Sequence, residues 1–235
     1  MVAPGSLSYS LDGLQFDIRS PKGVIHVRSK LVGRPNVYNI LAAVAATSAL
    51  DVPTAAIEQG LDRLAGVPGR FEIASSPTDD VTVVVDYAHT DDALRNLLET
   101  ARPMAVQRLI TVFGAGGDRD RTKRPLMGMV AARLSDIVVI TSDNPRSEDP
   151  NRIIDEVKRG AESEVRQSGA EILIRPDRRD AILEAVGTAA SGDVVLIAGK
   201  GHEKYQEVSG QTFSFDDVEV AREALTSRRL KSRAV

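Results

Sequence analysis

The sequence has 235 residues, of which 42% are hydrophobic and 27% charged, and its formal net charge is -3. These values are typical of a globular protein and exclude a disordered or fibrous chain, and the slightly acidic balance argues against nucleic acid or an anionic membrane as partner. Cysteine is absent, which excludes disulfides, thiolate metal sites and a cysteine nucleophile and favours a cytoplasmic location.

The amino terminus shows neither a secretion signal nor a membrane anchor. It lacks a charged start followed by an apolar core, and no apolar run of the chain approaches the roughly 20 residues that span a membrane. Met1 precedes sequence typical of the middle of a domain. We therefore expect the chain to be part of a longer protein.

The first elements in chain order are short strands and two helices. Alternating apolar residues between positions 7 and 31 are interrupted at Asp12-Gly13 and at Pro21-Lys22-Gly23, which indicates hairpin turns. Helices are predicted at residues 36–50 and 53–64, the second with a proline near its first turn.

Strands followed by only two helices make an incomplete domain. The segment Gly66-Val-Pro-Gly69 then breaks the pattern. We place a domain boundary there and predict one domain at residues 1–67 and a second at residues 68–235.

The second domain alternates apolar strands with helices. Strands are predicted at residues 81–85, 109–113, 137–141, 172–174 and 194–198, and helices near residues 91–102, 125–134, 151–167 and 178–190. Strands that are apolar on both faces and joined by helices indicate an α/β fold with a mostly parallel, Rossmann-like sheet. Ligands of such sheets lie beyond the carboxyl ends of the strands, so the loops that begin at Asp86, Gly114, Asp143 and Gly199 should line one crevice.

The loop Gly114-Ala-Gly-Gly-Asp-Arg119 follows a strand and precedes a helix, as a dinucleotide fingerprint does. Arg119 stands where the third glycine of that fingerprint belongs, so nicotinamide binding is not predicted. Bare backbone amides beside Arg119, Arg121, Lys123 and Arg124 suit a carboxylate or a phosphate. A solvated basic surface loop explains this segment equally well.

Asp143-Asn-Pro-Arg146 follows the next strand. By itself it is a plausible turn, because Asn-Pro starts turns and Asp can cap a helix. Its functional interpretation is an arginine fork and an amide in the crevice, suited to a planar carboxylate.

Two further strand exits carry polar residues. Gly199-Lys-Gly-His-Glu203 is too short and wrongly terminated for a phosphate-binding P-loop, and no P-loop sequence occurs in the chain. Glu203 could meet an ammonium group, or the segment could be only a tight turn. His89, at the end of Asp86-Tyr-Ala-His89, could act as a base or be a packing residue. The three histidines are scattered, so no metal site is predicted.

The order of these motifs resembles that of the Mur ligases, of the type that forms a tripeptide. The resemblance runs from about residue 7 to residue 215. It is carried by Asn36-Val-Tyr-Asn39, Gly69-Arg70-Phe-Glu72, Asp86-Tyr-Ala-His-Thr90, Gly116-Gly-Asp-Arg119, Asp143-Asn-Pro-Arg146 and Gly199-Lys-Gly-His-Glu203.

The resemblance implies an ATP-dependent, amide-forming ligase of peptidoglycan synthesis that uses Mg2+. The implied reaction adds meso-diaminopimelate to UDP-MurNAc-L-Ala-D-Glu. Residues 1–67 would be the end of the central ATP-binding domain and residues 68–235 the carboxy-terminal domain. The P-loop, the uridine-nucleotide domain and the magnesium-placing lysine would lie outside the chain, so no catalytic residue is assigned and the chain alone is expected to be inactive.

The resemblance also implies site residues. The diaminopimelate site would comprise Arg119, Asp143, Asn144, Pro145, Arg146, Gly199 and Glu203. The ATP side would comprise Asn39, Arg70 and Asp86, with Tyr87 and His89. Two residues depart from the family pattern, Pro35 in place of an aromatic residue and Asp91 in place of a proline, and both lie on the ATP side.

The substrate choice also has a physical argument. The distal end of diaminopimelate carries a carboxylate and an ammonium, whereas lysine carries the ammonium alone. Arg146 with Asn144 would bind the carboxylate and Glu203 the ammonium. Lysine would leave a buried arginine unpaired, at a cost of roughly 1–3 kcal/mol or more.

Two alternatives stay open at this point. The first is a nucleotide- or dinucleotide-binding Rossmann module without ligase activity. The second is a folded scaffold whose amino-acid site becomes ordered only with further domains. The expected partners are small molecules, without nucleic acid or membrane, and the expected state is a monomer.

Overall fold

A computed structural model describes residues 3–232 of the chain, and at residues 3–6, 8, 9 and 232 it describes the backbone alone. The chain divides into two compact units, Met1–Val67 and Pro68–Val235.

The first unit is a three-stranded antiparallel sheet followed by two helices. Its elements are β1 (Ala3–Ser10), β2 (Gly13–Ser20), β3 (Gly23–Ser29), α1 (Arg34–Ala49) and α2 (Thr54–Arg63). Alternation places Leu14, Phe16 and Ile18 of β2 on the buried side, where they join apolar residues of β3, α1 and α2 in one core. The predicted hairpins and both predicted helices are confirmed.

The second unit is built around a six-stranded sheet. Its elements are β4 (Glu72–Ile73), β5 (Thr82–Asp86), α3 (Asp91–Ala101), a 3-10 turn (Arg102–Met104), β6 (Leu109–Phe113), α4 (Lys123–Leu134), β7 (Ile137–Ile140), α5 (Pro150–Ser168), β8 (Glu171–Ile174), α6 (Arg178–Thr188), β9 (Val194–Ala198), β10 (Tyr205–Val208), β11 (Gln211–Ser214) and α7 (Asp217–Ser232).

The strand order of this sheet is β4-β5-β9-β6-β7-β8. The edge strand β4 is antiparallel to β5, and every other neighbouring pair is parallel. The α/β, Rossmann-like and mostly parallel fold expected from the sequence is therefore confirmed. The last parallel strand, β9, lies between β5 and β6, so the loop that follows β9 emerges among the loops of earlier strands.

Both faces of the central strands are buried, as their continuous apolar character requires. On one face, alternate residues such as Val83, Ile110 and Val195 pack against α6 and α7 in a common core. The intervening residues, among them Val84 and Leu196, point to the other face and are equally buried. The central strands are therefore covered on both faces.

Four elements of this unit, β4, β10, β11 and α7, escaped prediction. Strand β4 is only two residues long, and β11 is exposed throughout, so neither carries an apolar alternation. The turn Ser209-Gly210 joins β10 and β11 with positive φ at both residues, 51° and 73°, which is the conformation of a type I′ hairpin. The dipeptide Ser209-Gly210 is the feature of the sequence that indicates this hairpin. Helix α7 and the hairpin both follow residue 198, the end of the last element predicted from the sequence.

Candidate amino-acid binding site

Four neighbouring strands of the sheet end at one level. Asp86 at the end of β5 pairs with Ala198 at the end of β9, Ala198 with Phe113 of β6, and Phe113 with Ile140 of β7. The loops after these strands start side by side because strand pairing sets their height. The expected meeting of the loops that begin at Asp86, Gly114, Asp143 and Gly199 is confirmed.

These loops surround a cavity of about 270 Å³. Its lining carries cationic and anionic side chains together. The lining residues are Tyr87, His89, Gly116, Arg119, Lys123, Asp143, Asn144, Arg146, Gly199, Glu203 and Tyr205. Six residues predicted for the amino-acid site and two predicted for the nucleotide side thus lie around the same cavity.

Arg146 is held from two directions. Its Nη1 donates to the carbonyl of Gly117 at 2.7 Å, and its Nε lies 3.3 Å from Oε2 of Glu207 on β10. Its backbone has φ of 53°, a conformation that non-glycine residues rarely adopt. The backbone N–H of Arg146 donates to the carbonyl of Glu207, and its carbonyl accepts a hydrogen bond from the N–H of Ser209. These two bonds hold the backbone in that conformation. The remaining nitrogen, Nη2, donates no hydrogen bond among the described residues.

Asn144 is buried, and its amide is polarised by its partners. Its Oδ1 accepts hydrogen bonds from Lys200 Nζ at 2.7 Å and from the Glu207 N–H at 3.0 Å, while Nδ2 donates to Glu203 at 3.1 Å. The carboxylate of Glu203 is therefore held beside the amide in the cavity.

Asp143 is the second carboxylate of the cavity. It is 7% exposed, and its Oδ1 accepts no hydrogen bond among the described residues, although Lys200 Nζ lies 3.3 Å away. That contact is an ion pair without hydrogen-bond alignment. This oxygen is buried beside the Lys200 ammonium, so its charge is balanced within the protein.

The loop after β6 passes very close to the loop after β7. A side chain at Gly117 would place its Cβ 1.9 Å from the carbonyl of Pro145, so only glycine fits there. The Gly117 N–H donates to the carbonyl of Asn144 at 2.8 Å. Pro145 thus shapes the approach of the two loops and does not line the cavity.

Behind this loop stands a buried arginine with two carboxylate partners. Arg124 bonds Glu148 at 2.7 and 3.0 Å and Glu156 at 2.9 Å. Glu148 also accepts the Asp118 N–H at 2.7 Å. The Arg124 hydrogen bonds lower the pKa of Glu148 to about 2. Arg119, in the loop after β6, is exposed at the cavity. Its Nη1 donates a hydrogen bond to the carbonyl of Asp118 at 3.1 Å.

Residues predicted for the nucleotide side fall into three situations. Tyr87 and His89 line the cavity, and the guanidinium of Arg70 lies 4.5 Å above the Tyr87 ring. Asp86 accepts the N–H groups of Phe71 at 2.7 Å and of Ala88 at 2.8 Å, and burial raises its carboxyl pKa. Asn39 belongs to the first unit, where it is exposed on α1 and donates to Asn36 at 3.1 Å.

Four residues near the cavity escaped prediction as site residues. Lys123 lines it, with Nζ on the His89 carbonyl at 3.0 Å, and burial lowers the pKa of this ammonium. Lys200 lies in the loop after β9, and Tyr205 and Glu207 lie on β10. Lys200 belongs to the motif Gly199-Lys-Gly-His-Glu203, but a lysine next to glycines in a loop does not indicate burial. The β10 residues depend on a hairpin without an apolar pattern.

Neither a metal cluster nor a membrane helix emerges from the described part of the chain. Within residues 3–232, no three His, Asp or Glu side chains are grouped so that they could hold a metal ion. None of the helices there is long and apolar enough to cross a membrane.

The fold and the cavity define an α/β domain with a mixed-charge site at the carboxyl ends of a parallel sheet. A profile of the Mur ligase, glutamate ligase domain matches residues 69–201, more than half of the chain. The chain belongs to the Mur ligase family, which confirms the resemblance noted in the sequence.

Individual relatives are similar over nearly the whole chain. A UDP-N-acetylmuramoyl-L-alanyl-D-glutamate--2,6-diaminopimelate ligase of Gloeobacter violaceus is 50% identical over 228 residues, which are 97% of this chain and 46% of that protein. The protein of the same name from Thermosynechococcus vestitus is 50% identical over 224 residues, 95% of this chain and 44% of that protein. The chain thus spans about half the length of the curated relatives that it matches.

Solved structures agree with this assignment. A structure under the same ligase name is 41% identical with a TM-score of 0.68, and the match covers 97% of this chain and 46% of that one. A UDP-N-acetylmuramate-alanine ligase from Thermotoga maritima is 22% identical with a TM-score of 0.68, covering 98% of this chain and 46% of that one. At that identity the second match supports the fold alone.

Proposed function

We propose that this chain is the carboxy-terminal portion of an ATP-dependent ligase that adds meso-diaminopimelate to UDP-MurNAc-L-Ala-D-Glu in peptidoglycan synthesis. The observation that carries the proposal is the cavity itself. It sets Arg146 and Arg119 beside Glu203 and Asp143, a pattern of charge that suits a ligand bearing carboxylates and ammonium groups. Relatives that carry the name of this ligase support the choice.

The proposed recognition works through charge-assisted hydrogen bonds. The Arg146 guanidinium would bind the distal carboxylate through its uncommitted Nη2, with Asn144 beside it, and the carboxylates of Glu203 and Asp143 would hold the distal ammonium. L-Lysine would satisfy the anionic groups and leave the guanidinium without the ligand carboxylate. The protein contributes position and charge, which is the main source of rate enhancement in reactions of this class.

ATP and Mg2+ enter the proposal through groups outside these residues. The chain has no P-loop sequence and no metal cluster among its described residues. No phosphoryl-transfer step is therefore assigned to this chain. We propose that residues 1–67 are the end of the central ATP-binding domain. Asn39, Arg70, Asp86, Tyr87 and His89 would lie toward the nucleotide.

The dinucleotide alternative has less support. Helix α4 begins at Lys123, six residues after Gly117, so its amino terminus does not follow the glycines directly as the fingerprint requires. The carbonyl of Gly116 accepts a bond from Arg124 at 3.1 Å, which ties the loop to the protein. The proposed state remains a monomer, and the cytoplasmic location remains a prediction.

Calorimetric titration of the 235-residue chain tests the proposal. We expect meso-diaminopimelate to bind at least about tenfold more tightly than L-lysine, because a lost bidentate pair costs roughly 1–3 kcal/mol. Arg146→Ala should abolish that preference. Arg95→Ala, which removes an exposed arginine of α3 paired only with Asp92 at 3.3 Å, is the matched control. Equal affinity for the two amino acids in the wild-type chain would refute the assignment.

A further inference from the structure

Lys200 is a charged residue that no part of the proposed recognition uses. Its side chain is fully buried. The ammonium donates to Asn144 Oδ1 at 2.7 Å and to the Tyr205 carbonyl at 2.8 Å, and it lies 3.3 Å from Asp143 Oδ1. It therefore joins the loop after β7, the loop after β9 and strand β10 at one atom.

The contact between Lys200 and Asn144 determines which end of the amide faces the ammonium. An asparagine amide has nearly the same shape in its two flipped orientations, but one end accepts hydrogen bonds and the other donates them. An ammonium only donates, so Lys200 selects the orientation in which Oδ1 points inward. The N–H of Glu207, 3.0 Å from the same oxygen, favours the same orientation.

The selected orientation decides what the cavity presents. With Oδ1 engaged, Nδ2 faces Glu203 and donates to it at 3.1 Å. In the flipped orientation the amide oxygen would face the carboxylate of Glu203, and Lys200 would face two amide hydrogens. Burying an ammonium is costly, and burial lowers the pKa of Lys200. The contact between Lys200 and Asn144 thus requires an ammonium group that is removed from water.

We propose that Lys200 is a positioning residue that fixes the donor face of Asn144 toward Glu203 and the ligand, and so sets the selectivity for a diamino diacid. The inference rests on the proposed function and deepens it, because it assigns the orientation of the amide to a residue outside the binding set. The part of its effect that passes through Asn144 distinguishes this role from its contacts with Asp143 and the Tyr205 carbonyl.

A double-mutant cycle tests whether Lys200 acts through Asn144. Lys200→Met keeps the length of the stem and removes the donor. We expect it to weaken binding of meso-diaminopimelate about tenfold and binding of L-lysine by a smaller factor, because both ligands carry the ammonium next to Glu203 and only meso-diaminopimelate carries the distal carboxylate. In an Asn144→Ala background, the same Lys200→Met change should alter affinity less than about twofold, because its target is gone.

A second readout follows the amide directly. In nitrogen-15 NMR spectra the Nδ2 hydrogens of Asn144 should give a separate, exchange-protected pair of signals in the wild-type chain, and this pair should move or broaden in Lys200→Met. If that variant does not fold by circular dichroism, Lys200→Leu, which is shorter and also lacks a donor, replaces it. Wild-type affinity in either folded variant, or additive losses in the cycle, would overturn the inference. Failure of the wild-type chain to bind meso-diaminopimelate would instead refute the proposed function.

Discussion

The guanidinium of Arg146, which we propose binds the ligand carboxylate, is already paired with a carboxylate of the protein, that of Glu207. Arg146 is 21% exposed at its side chain and Glu207 36%, so the pair is partly screened by water. Glu207 helps to orient the guanidinium and also neutralises part of its charge. These two effects can be separated, because glutamine retains an acceptor for Nε without the negative charge.

We expect Glu207→Gln to tighten binding of meso-diaminopimelate about two- to fivefold, the range set by the energy of a partly exposed ion pair. The gain should shrink as salt is added, because screening weakens the competing carboxylate. Calorimetry at low and high ionic strength measures it. Glu99→Gln, an exposed carboxylate of α3, is the control and should leave affinity unchanged. Weaker binding by Glu207→Gln would mean that orientation outweighs competition.

Glu148 makes a second prediction at this scale. Its pKa is lowered to about 2 from 4.5 by Arg124. A carboxyl group with a depressed folded-state pKa stabilises the protein fully above its unfolded-state pKa, and this contribution is lost as the pH falls through the folded-state value. Its effect should therefore fade between about pH 4.5 and pH 2.

Glu148→Gln should lower the free energy of unfolding at pH 7 by about 1–3 kcal/mol, since Arg124 keeps only Glu156 as ionic partner. The difference from wild type should narrow as the pH falls through that window, as measured by urea denaturation at several pH values. Glu162→Gln breaks only an exposed pair with Lys158 at 3.4 Å and should change stability little at any pH. A pH-independent difference would contradict the assignment.

Helices α4 and α5 cross in close backbone contact. A Cβ at Gly160 of α5 would lie 1.9 Å from the carbonyl of Pro125, and one at Gly128 of α4 would lie 2.1 Å from the carbonyl of Val157. Because each glycine meets the backbone of the other helix, neither can gain a side chain unless the helices separate. Their contact also holds the start of α4, where Lys123 and Arg124 stand.

Gly160→Ala should destabilise the chain by about 1–3 kcal/mol, the usual cost of overfilling a packed contact. Gly187→Ala is the matched control in α6, where nothing lies within 4 Å of the added atom. It should stabilise by about 0.5–1 kcal/mol because alanine favours the helix. Thermal denaturation of both variants measures this. Equal shifts in the two would show that helix propensity, and not the close crossing, governs Gly160.

The elements that the sequence predicted share a physical reason. Strands β6 and β9 match their predicted bounds because they are buried on both faces and bordered by polar residues or glycine. Helix α3 starts where expected because Thr90 accepts the Ala93 N–H at 3.2 Å. Proximity across the sheet, such as that of Lys200 to Asn144, follows from strand order, and strand order leaves no local mark on the sequence.

The roles of the site residues divide in the same way. The motifs in the sequence predict Arg146 and Glu203 as site residues. They do not reveal that Glu207 contacts Arg146 or that Lys200 donates a hydrogen bond to Asn144. Side chains that act by supporting others have ordinary residue types at unremarked positions. Only their contacts identify them.

At the scale of the whole molecule, the two compact units should respond differently to the ligand. All the residues that line the cavity belong to Pro68–Val235. At a concentration of 100 times Kd, a ligand of the native state adds about 2.7 kcal/mol to stability. Hydrogen exchange with and without meso-diaminopimelate should therefore slow in the loops after β5, β6, β7 and β9, and remain unchanged in β2 and β3. Equal protection in both units would contradict a site confined to the second.

The β10–β11 hairpin lies beyond residue 201, where the match to the family profile ends. Its outer strand is fully exposed, while its inner strand bonds to Asp143, Asn144 and Arg146. The hairpin contacts the loop after β7 without joining the six-stranded sheet, so it can be exchanged as a unit. Under the proposed function, grafting hairpins from related ligases onto this scaffold offers a route to new amino-acid preferences, with the hydrophobic interior and the residues of the proposed site left untouched.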